Sequence, residues 1–445
     1  MTEKYPIDPK QIRREVYSAI HSLDRMRGSE AYELVGAVVH EIGQILNQAW
    51  ALIEADDGRN ALTVLEAVTE AYVSEWENLD DSDAEASDFF EKLGKPWIEA
   101  ILITDLTDEE RKTWADRLDD WKAVICSDEV DQVFGAAEAA ALDGWDYPPL
   151  QRVLQGTITE QGAWEDEVPE YADNLTKARL NILERRGRLQ EYLYLAEAER
   201  QVEEYVTMLV RLDRAQEAIA YGLKHIATTE QAFTLAKALY EHGEREQSLQ
   251  IADRGLVLEG YKGHLAKWLR DQAKAMDKPE MALSAAEQAF HAEISLENYQ
   301  QVAEIAGEQW TERRTALLDY VRSNKSFDRH GSVDIFLHEG LLDEAIAMLD
   351  ESYATHTLVE QVVNVALTSQ SHLDWVIQTC RKQAEYIMDR GKAAYYYSAG
   401  QWLKKARTAY QSSGRNGEWQ IYLNGLLSTH HRKRNLVPIL KGLLR

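Results

Sequence analysis

His40 and Glu41 in "VVHEIGQ" begin like the helix of a zinc protease, where a second His four residues after the first completes the ligand pair. Position 44 is Gln44, so the site is one imidazole short. His430 and His431 in "STHHRKRN" are adjacent, and adjacent residues on a helix point apart, which argues against a shared metal. Cys126 and Cys380 lie far apart, with no Cys or metal-spaced His beside either. That spacing argues against a disulfide framework and a structural zinc site, and it suits a reducing, cytoplasmic location. Neither GxxxxGK[ST], GxGxxG nor GxSxG occurs. Acid pairs are frequent among 76 Asp and Glu, and frequency alone marks no acid–base couple. The expectation is a protein that is not an enzyme and holds no cofactor.

Two stretches suit binding better than catalysis. "AAYYYSAGQWLKKARTAY" sets Tyr395, Tyr396, Tyr397, Trp402 and Tyr410 beside Lys404, Lys405 and Arg407. Such interleaving can bind single-stranded nucleic acid, but the favoured reading is a repeat helix whose rings pack the core while its cations face water. With Arg432, Lys433, Arg434 and Lys441, these three cations form the candidate contact set for a partner or for nucleic acid. "GWDYPPLQRVLQG", residues 144–156, packs Trp145, Asp146, Tyr147, Pro148 and Pro149 together. Paired prolines stop one helix and direct the next, and an aperiodic acidic segment follows. The position favours a joint between two helical regions over a ligand site.

The elements that must hold these residues read as helices throughout. Ile12, Val16, Ile20 and Leu23 form a stripe at spacings of three and four. A longer apolar run ends at Ile53, with Ser29 as its expected cap, and further helices fall around 107–125 and 127–142. Helical periodicity resumes near Asp173. This divides the chain into an acidic helical domain (1–156), a linker (157–172) and a helical-repeat array with a basic end (173–445).

The repeat shows as a small residue followed by Leu or Ile: Ala218–Ile219, Ser248–Leu249, Ala282–Leu283, Ala316–Leu317 and Ala345–Ile346, at intervals of 30, 34, 34 and 29. Gly243, Asp277 and Gly340 stand a few positions ahead as turn residues. Stacked helix pairs near the tetratricopeptide period have this signature. The expected fold is all-α: a tetratricopeptide-like solenoid, or superhelix, preceded by a helical bundle.

Charge is uneven along the 445 residues. Of the net −27, about −25 falls in 1–170, whereas 381–445 carries about +10. The acidic half repels nucleic acid and anionic lipid. No apolar run reaches the length of a membrane span, and the N-terminal "MTEKYPIDPKQIRREVY" has no signal-peptide core, so neither membrane insertion nor secretion is expected.

Several long motifs carry a family resemblance: "SLDRMRGSEAY", "GWDYPPLQRVLQG", "EYLYLAEAE", "YVTMLVRL", "SVDIFLHEGLLDEAI" and "QWLKKARTAYQSSGRNGEWQIYLNGLLSTHHRKRNLVPIL". From about residue 15 onward the chain resembles the helical region that follows the zinc finger in bacterial SWIM zinc finger family proteins. The finger needs CxC and CxH ligands, and this chain has no CxC. Zinc would belong to that missing finger, on a separate chain acting in trans or on a part that was removed. The resemblance implies a non-enzymatic module associated with MoxR-type AAA+ ATPases and von Willebrand factor A proteins. The resulting expectation is a scaffold or adaptor for a protein partner, such as a MoxR-type ATPase or a SWIM-finger chain. The alternative is a nucleic-acid-associated module that uses the basic C-terminal helices.

Overall fold

The computed structural model describes residues 7–25, 28–79, 84–125, 128–165, 167–324, 329–350 and 355–444. Among these residues the regular structure is helical and no strand forms. Cys126 lies outside them. The chain divides by its contacts into two compact units, Met1–Ile251 and Ala252–Arg445.

The first unit begins with α1 (Pro9–His21), α2 (Gly28–Glu54), α3 (Gly58–Glu75), α4 (Asp88–Ile103), α5 (Asp108–Ile125) and α6 (Asp128–Leu142). Asp8 caps α1 by accepting from the Lys10 amide, and Pro9 occupies a first-turn position that needs no amide donor. The stripe Ile12, Val16, Ile20 and Leu23 is buried. α2 begins at Gly28, one residue ahead of the cap expected at Ser29. The centre of this bundle is aromatic. Trp97 on α4 lies 5.3 Å from the Trp114 ring and 5.7 Å from Trp121, both on α5, and its indole donates to Thr69 Oγ1 at 2.9 Å. Tyr72, Phe89, Phe90 and Phe134 extend the same packing.

After α7 (Pro148–Leu154) the chain continues as helix pairs. These are α8 (Ala172–Arg185) with α9 (Leu189–Ala198), α10 (Val202–Arg211) with α11 (Ala215–His225), and α12 (Thr229–His242) with α13 (Arg245–Gly255). α8 also packs on α4 and α6, and its Leu175, Ala178 and Ile182 complete the core of the bundle. Within the expected linker 157–172 the described residues up to Tyr171 are non-helical, and Ala172 opens α8. Nevertheless, Ala163 and Trp164 within it are buried, and the Trp164 indole donates to Glu199 at 2.8 Å.

The second unit continues with α14 (Gly263–Ala275), α15 (Pro279–Ala292), α16 (Leu296–Ala306), α17 (Trp310–Ser323), α18 (His330–His338), α19 (Leu342–Asp350), α20 (His356–Thr368), α21 (Leu373–Asp389), α22 (Tyr396–Ser412), α23 (Asn416–Thr429) and α24 (Val437–Gly442). Here α16 packs on α18, α18 on α20 and α20 on α22, while α17, α19, α21 and α23 each pack on the helix before them.

The small-plus-aliphatic signature falls on the second helix of each pair. Ala218, Ser248, Ala282 and Ala345 are buried there, whereas Ala316 is exposed and α17 buries Leu317 and Leu318 instead. Ser248 also donates its hydroxyl to the Ala236 carbonyl at 2.7 Å, so a small polar residue fixes α13 against α12.

The turns within pairs repeat one hydrogen-bond pattern. At Gly243 the backbone is left-handed (φ +102°), Gly243 N donates to Tyr240 O, and Glu244 N donates back to Leu239 O at 2.9 Å. Asp213, Asp277 and Gly340 make the same paired bonds with positive φ. Such turns satisfy the last carbonyls of a helix and reverse the chain. No atom lies near the space a Gly243 side chain would fill, so the cost of adding one is conformational. Gly243→Ala is expected to lower stability by about 1 kcal/mol. Asp277→Gly should change it by less than about 0.5 kcal/mol, because relief of the left-handed backbone is offset by a freer unfolded chain. Urea midpoints of the two variants measure the difference, and equal losses would refute the argument.

Candidate functional site

In the 144–156 stretch, Trp145 and Tyr147 are half-buried against the core of the first unit. The Trp145 indole donates to the Leu102 carbonyl at 2.9 Å, tying the stretch to the end of α4. Tyr147 meets Trp164 at 6.2 Å and accepts from the Glu165 amide. Asp146 and Pro148 are exposed, and Pro149 is buried at the start of α7. Gly144 is left-handed, and a side chain there would collide with Arg111.

Beneath this stretch lies Arg179, which is 1 % exposed. It donates Nη2 to the Gly144 carbonyl at 3.0 Å, while Nε and Nη1 have no acceptor among the described residues. Burial lowers its pKa to about 10, so the guanidinium stays charged at neutral pH. Asp143 and Glu199 act on it through space, but a buried charge with no directly bonded carboxylate is still costly. Arg179→Met is therefore expected to raise stability by about 1 kcal/mol, read as a higher thermal midpoint. A drop of several degrees would show that the guanidinium holds something that methionine cannot.

The C-terminal aromatic and basic residues divide into two groups. Tyr396, Trp402 and Tyr410 are buried, whereas Tyr395 and Tyr397 are exposed. Lys405 is engaged: it donates to Glu360 at 2.5 Å and to Asn364 at 2.7 Å, and its ammonium sits 5.4 Å over the Trp402 ring. Lys433 donates to the Met388 carbonyl at 2.6 Å, near the C-terminus of α21, where a cation complements the helix dipole. Lys404 and Arg407 on α22, Arg432 and Arg434 between α23 and α24, and Lys441 on α24 have no side-chain partner among the described residues. His430 is buried and burial lowers its pKa, while His431 bonds the Ser428 carbonyl. Among the described residues no group of three His, Cys, Asp or Glu is placed to hold a metal. Cys380 is buried, which pushes its thiol up to about 12 and keeps it from acting as a nucleophile.

Part of this stretch lines a cavity of about 440 Å³ formed by α20, α21, α22 and the turn before α22. His356 and Glu360 come from α20, and Tyr386, Ile387 and Arg390 from the end of α21. Lys392, Tyr395, Ser398 and Trp402 complete it. Trp402 is 6 % exposed and serves as a floor, while Tyr395, 57 % exposed, stands at the wall. Arg390 lies 4.5 Å from the Tyr386 ring centroid. The volume falls in the range of small-ligand sites, and the lining combines flat apolar surface with a few polar groups.

Of the residues that sequence singled out, the cavity gathers Tyr395 and Trp402 directly, and Lys405 through Glu360 and Trp402. Arg390 and Lys392 were missed, although "DRGKAAYYY" sets two cations around left-handed Gly391 just ahead of the tyrosines. His356 and Glu360 reach the cavity from a separate helix, and no local spacing announces them. Neither a family model nor a curated protein matches this chain.

Proposed function

We propose that this chain is a non-enzymatic scaffold, a tetratricopeptide-like array of helix pairs that binds a protein partner. The observation that carries this reading is the succession of helix pairs within each unit, in which second helices pack on first helices and, in the second unit, α16, α18, α20 and α22 pack on one another in turn. Each pair leaves an apolar face that only its neighbours cover, and such arrays present continuous surfaces on which contact residues vary without disturbing the stack. The buried Cys380 thiol is ill placed for nucleophilic chemistry. The partners implied by the resemblance, a MoxR-type ATPase or a SWIM-finger chain, are the first to test. Tagged protein, cross-linked in lysate at low salt and analysed by mass spectrometry, should retain a partner that an unrelated protein of equal acidity does not. Retention of the same proteins by both would remove the reading.

The alternative, nucleic-acid binding through the basic end, draws on the five cations that have no side-chain partner among the described residues. It requires an affinity that falls steeply with salt and is lost when Arg432, Lys433 and Arg434 are neutralised.

A further inference from the structure

We propose that the cavity among α20, α21 and α22 is a docking site for an acidic peptide segment carrying one large aromatic side chain. This rests on the scaffold reading and names the chemistry of its partner. Arg390 and Lys392 stand at the cavity, and neither meets a carboxylate among the described residues. The Glu360 carboxylate in the lining is matched by Lys405. The site therefore has an excess of two positive charges, within a chain whose net charge is −27. Where most of the chain would repel an acidic segment, this cavity attracts one.

The apolar part of the lining says what accompanies the anion. Trp402 and Ile387 form a floor that water leaves readily, and Tyr395 offers an exposed ring beside it. The volume suits one or two large side chains. Insertion of an aromatic residue over Trp402 would bring acidic neighbours on the same segment against Arg390 and Lys392. An aromatic anchor with charges paired at its rim is the arrangement that dominates binding energy at protein interfaces.

Single-stranded nucleic acid fits less well. A run of stacked bases needs successive open ring faces, whereas this cavity has room for one or two large side chains.

The probe is an array of end-blocked twelve-residue peptides in which acidic content and aromatic content vary independently. It is exposed to the full-length protein at low and at physiological salt. Retention should require both features together, and it should fall at least tenfold for Arg390→Glu/Lys392→Glu and several-fold for Tyr395→Ala. All three residues are exposed, and unchanged circular dichroism melting of the variants separates lost binding from lost folding. Retention of basic or non-aromatic peptides, equal retention by the double charge variant, or no retention at all would each overturn the proposal. So would a ten-nucleotide oligothymidine that displaces the peptides at lower concentration than they bind. Partner capture in lysate keeps the two readings apart. If Arg390→Glu/Lys392→Glu still captures the wild-type partner, the cavity proposal fails and the scaffold stands. If wild type captures nothing, the scaffold fails whatever the array shows.

Discussion

Arg185→Met is expected to lower the stability of the first unit by about 3 kcal/mol. Glu99 on α4 is 1 % exposed, and its two carboxylate oxygens are satisfied from α8, by Arg185 at 2.6 Å and Asn181 at 3.0 Å. Removing the arginine leaves a buried carboxylate with one neutral donor. The loss stays near the low end of the range for broken buried pairs because Arg185 is one-third exposed, so water can enter where it stood. Glu99→Met combined with Arg185→Met should recover most of the loss, since two apolar side chains leave no stranded charge. Urea midpoints of the single and double variants decide the matter: a double variant no more stable than Arg185→Met would show that packing, not charge, is what α8 contributes.

Trp97→Ala is expected to cost still more, about 4 kcal/mol, through the cavity left between Trp114 and Trp121. Trp97→Phe keeps most of the ring contact but strands the Thr69 hydroxyl, which is buried, and should cost about 1–2 kcal/mol. The ratio of the two losses separates volume from hydrogen bonding. If the phenylalanine variant lost as much as the alanine variant, the indole–hydroxyl bond would outweigh the ring packing. The Arg117 guanidinium, 5.2 Å from the Trp121 ring centroid, should gain mobility in the alanine variant, visible as broadened side-chain NMR signals.

What the sequence disclosed follows the range over which its signals act. The stripe Ile12, Val16, Ile20 and Leu23 is a local period, and all four side chains are buried. The turn residues Gly243, Asp277 and Gly340 mark a local backbone demand, and all three have positive φ. On α17 the signature holds only in part: Leu317 is buried beside Leu318 while Ala316 is exposed, because a small residue before a leucine does not by itself define a helix face. The burial of Trp164 was hidden for a related reason. Its segment has no period, and its partners Tyr147, Tyr171 and Glu199 come from three different places in the chain. Glu99 looked like any other acid, since nothing within several residues of it announces Asn181 and Arg185. The cavity was half visible: the tyrosines and Trp402 drew attention as a cluster, but Arg390 and Lys392 gain meaning only when α20 closes the opposite wall.

The wiring of the helix pairs also bears on how the chain is made. In the second unit each helix finds its packing partners among its near neighbours in sequence, so a pair needs only a few dozen further residues to have emerged from the ribosome before it closes. The first unit is different. Glu99 waits for Arg185, and Asp56 for Arg186, so its bundle stays unfinished until α8 has left the exit tunnel. The apolar faces of α4 and α6 stay open through that interval. The dense negative charge of residues 1–170 would make unfinished chains at that stage repel one another.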